Sequence, residues 1–179
     1  DKSAFDGASQ FSGTSAPPAT TATTAKPSSG GTPIPGNGQV AIAFTYSSDG
    51  RGMAKNPYIA VWVETAAGKF VDTVSLWYEA GKGERYLNDM RSWVSSSGGR
   101  DRSMSSATRT PGSYSVVWDG KDASGQKAPQ GDYVFFIECA REKGPYSVIS
   151  QPLTIGAAPT SATPANKGEI SKVSMTYTP

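Results

Sequence analysis

The chain of 179 residues contains no histidine and a single cysteine, Cys139. Together these gaps exclude a wide range of chemistry. Without imidazole there is no Ser-His or Cys-His nucleophile, no imidazole metal ligand and no bis-histidine haem. One thiol can neither close an internal disulfide nor build a cysteine-rich metal site. Long apolar runs are also missing. The longest, YIAVWV and YVFFI, are strand-sized, far short of the roughly 20 residues that a membrane-spanning helix needs. No basic block and no acidic tail occur, and 17 Lys and Arg against 15 Asp and Glu leave a net charge of +2 spread along the chain. That distribution gives no footprint for nucleic acid. The first residue is Asp1 rather than Met, so the sequence reads as the mature product of a processed precursor, expected outside the cytoplasm in the periplasm, at the cell surface or secreted.

What is present falls into two parts. Residues 1–37 are dominated by GTSAPPATTATTAKPSSGGTPIPGNG, which is Thr, Ser, Ala, Pro and Gly with one Lys, one Asn and one Ile. Such a stretch buries too little apolar area to offset its ordering entropy, so it is expected to be an extended arm or linker. Its Ser, Thr and Pro content suits O-glycans on an exported stalk. Phe5 and Phe11, in SAFDGASQFSG, are the residues expected to anchor the arm by strand addition to a neighbouring subunit, building a homo-oligomer or filament.

Residues 38–179 carry strand periodicity. QVAIAFTY alternates Val40, Ile42, Phe44 and Tyr46 against smaller residues, as a half-buried strand does. PYIAVWVET puts Ile59, Val61 and Val63 on one face and Tyr58, Ala60 and Trp62 on the other, which suits a strand covered on both sides. In FVDTVSLWYE, strict alternation sets Val71, Thr73, Ser75 and Trp77 against Asp72, Val74, Leu76 and Tyr78. GERYLNDMRSWVSSSGG spaces Tyr86, Met90 and Trp93 helically, with Leu87 and Val94 widening the stripe and Gly98-Gly99 as a stop, so a single short helix is expected as a lid on the sheets. SYSVVWDG and GDYVFFIECARE read as a hairpin with a long loop. In the second of these, Tyr133, Phe135, Ile137 and Cys139 share a face, which makes the thiol a small buried hydrophobe. YSVISQPLTI is expected at a sheet edge because of Pro152, and GEISKVSMTYTP closes the chain with an imperfect alternation. About seven strands and one short helix predict an all-β, antiparallel, immunoglobulin-like β-sandwich.

Two resemblances follow from these motifs. WDGKDASGQKAPQGDYVFFIE resembles the hairpin of immunoglobulin-like domains in flagellar hook-capping proteins. There the pattern is structural: Gly120, Gly125 and Gly131 permit tight turns, Pro129 stiffens the approach, and Trp118 covers the end of the core. Over a longer span, PYIAVWVETAAGKFVDTVSLWYE, RYLNDMRSW, SATRTPGSYSVVWDG, GDYVFFIECAREKG and KGEISKVSMTYTP resemble, in that order, the DUF2271 family. The resemblance implies an exported protein that is a neighbour of membrane redox systems. These include PepSY-type membrane proteins and the transferase that links FMN to threonine through a phosphoester.

That implication makes SSATRTPG the segment to weigh. Flavinylation motifs read Asp, two residues, Ser or Thr, Gly, Ala, Thr, with the last Thr modified. Ser105, Ala107 and Thr108 match, Ser106 stands where Gly is usual, and Asp101 lies one residue early with Arg102 in the acidic place. On this reading Thr108 would carry the flavin, Arg100, Arg102 and Arg109 would hold its phosphate oxygens, and an aromatic such as Trp93 would stack on the ring. The plain alternative is a loop, capped by Pro111-Gly112, that feeds a strand. Asp119, Asp122, Ser124 and Gln126 share a loop but lack the ligand spacing of a calcium loop, so Asx turns are expected there and no metal. The carboxylates Glu64, Glu79, Glu138 and Glu142 fall on or beside strands, with no pair placed for glycoside hydrolysis.

The expected function is therefore a non-catalytic, exported β-sandwich without a cofactor, acting by binding or assembly at the bacterial cell surface on other subunits or envelope proteins. The alternative is an extracytoplasmic redox accessory with covalent FMN on Thr108. Carbohydrate binding is a third reading, which needs Trp62, Trp77 or Trp93 to be exposed.

Overall fold

The computed structural model describes residues 31–48, 50, 55–142 and 144–179; Phe5 and Phe11 lie outside them. Alternation in QVAIAFTY becomes β1 (Gln39–Tyr46), with Val40, Ile42, Phe44 and Tyr46 all buried. Eight more strands follow: β2 (Tyr58–Thr65), β3 (Phe70–Trp77), β4 (Ser105–Ser106), β5 (Gly112–Trp118), β6 (Gly131–Ala140), β7 (Tyr146–Ile155), β8 (Thr160–Ala162) and β9 (Ile170–Thr178). They form a four-stranded sheet, β5-β1-β9-β8, and a five-stranded sheet, β4-β3-β2-β6-β7. The fold is an all-β sandwich. Its strand count exceeds the expected seven because β4 and β8 have two and three residues, too few for alternation to register. All strand pairs are antiparallel except β3 with β4.

The core lies between the sheets and takes Ile59, Val61 and Val63 from β2 and Tyr133, Phe135, Ile137 and Cys139 from β6. Burial pushes the Cys139 thiol up to about 12, with the Glu169 carboxylate adding to the effect, so it acts as an apolar side chain. The opposite face of β2, with Tyr58, Ala60 and Trp62, packs under a lid. Strand β3 departs from strict alternation. Two bulges against β2 leave Val71 and Val74 without direct partners, and both join Trp77 in the inter-sheet core. A bulge adds a residue and shifts the faces, which composition alone does not announce.

The same bulged strand half-buries a carboxyl. Desolvation, followed by the charges of Asp101, Asp119 and Asp122, raises Asp72 from 3.8 to about 7. A carboxyl that holds its proton more tightly when folded makes stability fall as pH rises between those two values. Asp72→Asn is therefore expected to raise the melting temperature at pH 8 and to leave it unchanged below pH 4. Partial exposure to solvent limits the gain to about 1 kcal/mol. Thermal unfolding at the two pH values checks this.

The lid is not one helix. It is a 3-10 helix, Gly81–Asp89, followed by α1 (Arg91–Ser97), with Met90 (φ −78°, ψ 63°) at the break. Leu87, Met90 and Trp93 are all buried, and their spacing of three is the period of the tighter helix. No side chain of its own caps α1. The cap comes instead from β6: Glu138, fully buried, accepts the Ser92 and Trp93 backbone N–H groups at 3.0 and 2.8 Å.

The expected hairpin between SYSVVWDG and GDYVFFIECARE is corrected. Strands β5 and β6 belong to different sheets, so the loop between them crosses the sandwich. Trp118 sits at that crossing. Its indole N–H donates to the Lys121 carbonyl at 2.7 Å, and its ring packs on Tyr133 and Phe135. Gly120 (φ +75°) turns the chain there, and a Cβ would meet the Gly38 carbonyl at 3.0 Å. Residues 32–34, expected as arm, instead lie along this loop: Ile34 donates to Ala128, Thr32 accepts from Gln130, and Ile34 is 2% exposed. Burying that side chain contributes about 2 kcal/mol. A single Ile among prolines and glycines has no period by which to be read.

Candidate functional site

The segment around Thr108 is held between the lid and β5. Gly98 (φ +68°) ends α1 in the left-handed conformation that glycine adopts without strain. Asp101 then ties the chain to β3, accepting the Thr73 backbone N–H and the Ser103 hydroxyl, each at 2.9 Å. Two further bonds, Leu76 N–H to the Met104 carbonyl and Tyr78 N–H to the Ser106 carbonyl, set β4 beside β3. Ser105, Ser106 and Ala107 are exposed and Thr108 is half-buried. The motif is thus displayed as an edge strand that leads into a loop.

Thr108 stands on the border of two shallow hollows. Lys55, Asn56, Tyr58, Glu79 and Glu142 line the first, of about 230 Å³. Tyr78, Glu79, Ala80 and Ser105–Ala107 line the second, of about 330 Å³. Lys55 is paired with Glu142, and that hydrogen bond holds its ammonium above the ordinary lysine range. Tyr58 donates to the Gly83 carbonyl at 3.1 Å, and its hydroxyl titrates above the usual tyrosine value because of burial, then Glu79. Among the described residues its lining sets the carboxylates of Glu79 and Glu142 beside the Lys55 ammonium.

The three arginines are not gathered around Thr108, and none lines either hollow. Arg102 reaches back to the Gly99 carbonyl at 3.2 Å and to Glu84 at 3.6 Å. Arg109 lies over the rings of Trp77 and Tyr114, 4.7 and 5.4 Å from their centroids, where it closes the gap between β3 and β5. Arg100 is exposed just beyond the two-glycine stop. Trp93 is fully buried and donates its indole N–H to the Thr73 hydroxyl at 3.0 Å, so it cannot stack on a flavin. Lys55 and Glu142 were not expected here, because no sequence spacing relates them to Thr108. Trp62, Trp77 and Trp93 are each at most 1% exposed, which removes the tryptophan platform that carbohydrate binding requires.

Elsewhere the polar clusters are accounted for locally. One Asp122 oxygen accepts from the Ser124 N–H, the Ser124 hydroxyl and the Gln126 N–H, and Asp119 accepts from the Lys121 N–H. These are Asx turns. Glu64 accepts the Trp62 indole N–H at 2.8 Å. No trio of acidic or cysteine side chains among the described residues is placed to hold a metal ion.

A family model described as a predicted periplasmic protein, DUF2271, matches residues 39–172. The chain belongs to the DUF2271 family. The match runs from the first residue of β1 into β9, so it takes in both sheets, the lid and the Thr108 segment of this DUF2271 domain. By the family's description the protein is extracytoplasmic. No curated protein and no solved structure matches it. No helix among the described residues of the DUF2271 chain is long and apolar enough to cross a membrane.

Proposed function

We propose that this DUF2271 chain is a non-catalytic binding and assembly domain of the bacterial cell envelope, working through the shape of its surface. The observation that carries this reading is the four-stranded sheet. Its strands contain one charged residue, Lys172, at the irregularity in β9 where φ is +51°. The solvent side presents Ala41, Ala43, Thr45, Ser115, Ser174 and Thr176. A face with a single charge leaves few ions to desolvate when a second surface covers it, and charge depletion marks the centres of interfaces. Light scattering of the full chain is the test. An assembly larger than one chain supports the reading; a monomer at every concentration removes it. Truncations that probe the arm should end at Gly30, since Ile34 belongs to the core.

A second reading is favoured by one observation. Thr108 follows an exposed edge strand, has small neighbours in Ser106 and Ala107, and opens onto both hollows, as a hydroxyl awaiting a phosphoester would. Arg100, Arg102 and Arg109 line neither hollow, so on this reading the phosphoester to Thr108 is the main hold on FMN. Intact mass after co-production with a flavin transferase decides it. A gain of one FMN that vanishes in Thr108→Ala supports the reading, and an unmodified mass eliminates it.

A further inference from the structure

We propose that β5 is a seam at which two copies of this chain join edge to edge, antiparallel about a two-fold axis at Ser115. This rests on the assembly reading above, in that the chain associates with itself, and places that contact at the edge of the same sheet. Among the described residues the two sheets end in four edge strands: β4, β5, β7 and β8. Solitary domains blunt such edges with short strands, proline, charge or bulges. Three of the four follow that rule here, since β4 and β8 are very short and β7 carries Pro152. Strand β5 does not. Its seven residues, GSYSVVW, hold no proline and no charge, and they pair with β1 in unbroken register from Val40–Trp118 to Tyr46–Gly112.

The sequence of β5 also complements itself. Laid antiparallel on a copy, Ser115 meets Ser115, Ser113 meets Val117 and Tyr114 meets Val116. The last is an aromatic to β-branched cross-strand pair, a favourable kind, and it occurs on both sides of the axis. Tyr114 and Val116 face the core yet are only half-buried, whereas their β1 partners Phe44 and Ile42 are at most 1% exposed. Val117 is 48% exposed. A second copy at this edge would cover all three. A two-fold contact needs a surface that matches itself, and in this strand no like charges would oppose each other across the axis.

The test uses the full chain with Ser115→Cys, and Ser174→Cys on the sheet face as control. Cys139 is buried, so cross-linking by mild oxidation or a short bis-maleimide reports on the introduced thiol alone. Sedimentation of the parent is expected to show a dimer. Cys at 115 should cross-link it and Cys at 174 should not, while Ser115→Lys, which sets two ammonium groups face to face, should weaken the dimer by about tenfold. An assembled parent that neither cross-links at 115 nor responds to Ser115→Lys overturns the seam and leaves the assembly reading standing. A parent that remains monomeric overturns both.

Discussion

Removing the Arg141 side chain is expected to cost about 3–5 kcal/mol of folding free energy. Arg141 follows β6 and Glu169 precedes β9, so their contact ties one sheet to the other. Both side chains are 2% exposed, and the guanidinium donates to the Glu169 carboxylate at 2.8 Å. A second donor of the same group reaches the Ser48 hydroxyl at 3.3 Å. Arg141→Ala takes this cation from a carboxylate in the interior, and the part of the desolvation that it offsets is then lost. Replacing both partners by Met should cost far less, because each charge then leaves with the other. Urea unfolding of the single and double variants separates these outcomes. Equal losses in both would show that packing, and not charge, holds the two sheets together here.

Glu138→Ala is expected to cost about 3 kcal/mol, the effect of losing a charge-assisted acceptor for two backbone donors, the Trp93 N–H in the interior and the Ser92 N–H part-buried. The loss should be local. Amide exchange at Ser92 and Trp93 should rise by more than that of β6, because the lid opens before the sandwich does. Glu138→Gln keeps one good acceptor and should recover part of the stability. Unchanged lid exchange in Glu138→Ala would mean that Leu87, Met90 and Trp93 hold the lid by packing alone.

The strands and their inward faces were legible wherever alternation was regular. Val40, Ile42, Phe44 and Tyr46 point as the pattern demands, and so do both faces of β2. Legibility failed where the backbone departs from its period. Val74 reaches the inter-sheet core through a bulge, and the lid changes helix type at Met90. It failed again for contacts between distant segments. WDG turns in hairpins and WDG turns that cross between sheets share the same glycines, so the loop after Trp118 did not reveal its destination. At the candidate site Thr108 and its small neighbours were readable, but their surroundings were not. Three arginines close in sequence are directed to Glu84, to Trp77 and outward to solvent, while Lys55 and Glu142 reach Thr108's border from elsewhere in the chain.

The position of β1 between β5 and β9 has a consequence for how the protein is made. Gln39 pairs with Thr178, so β1 waits for β9 before its sheet can close. Pairings so distant in sequence form slowly. A polypeptide emerging amino-terminus first from a ribosome or a translocation channel would therefore keep β1 unsatisfied on one side until residues 170–178 have followed it out.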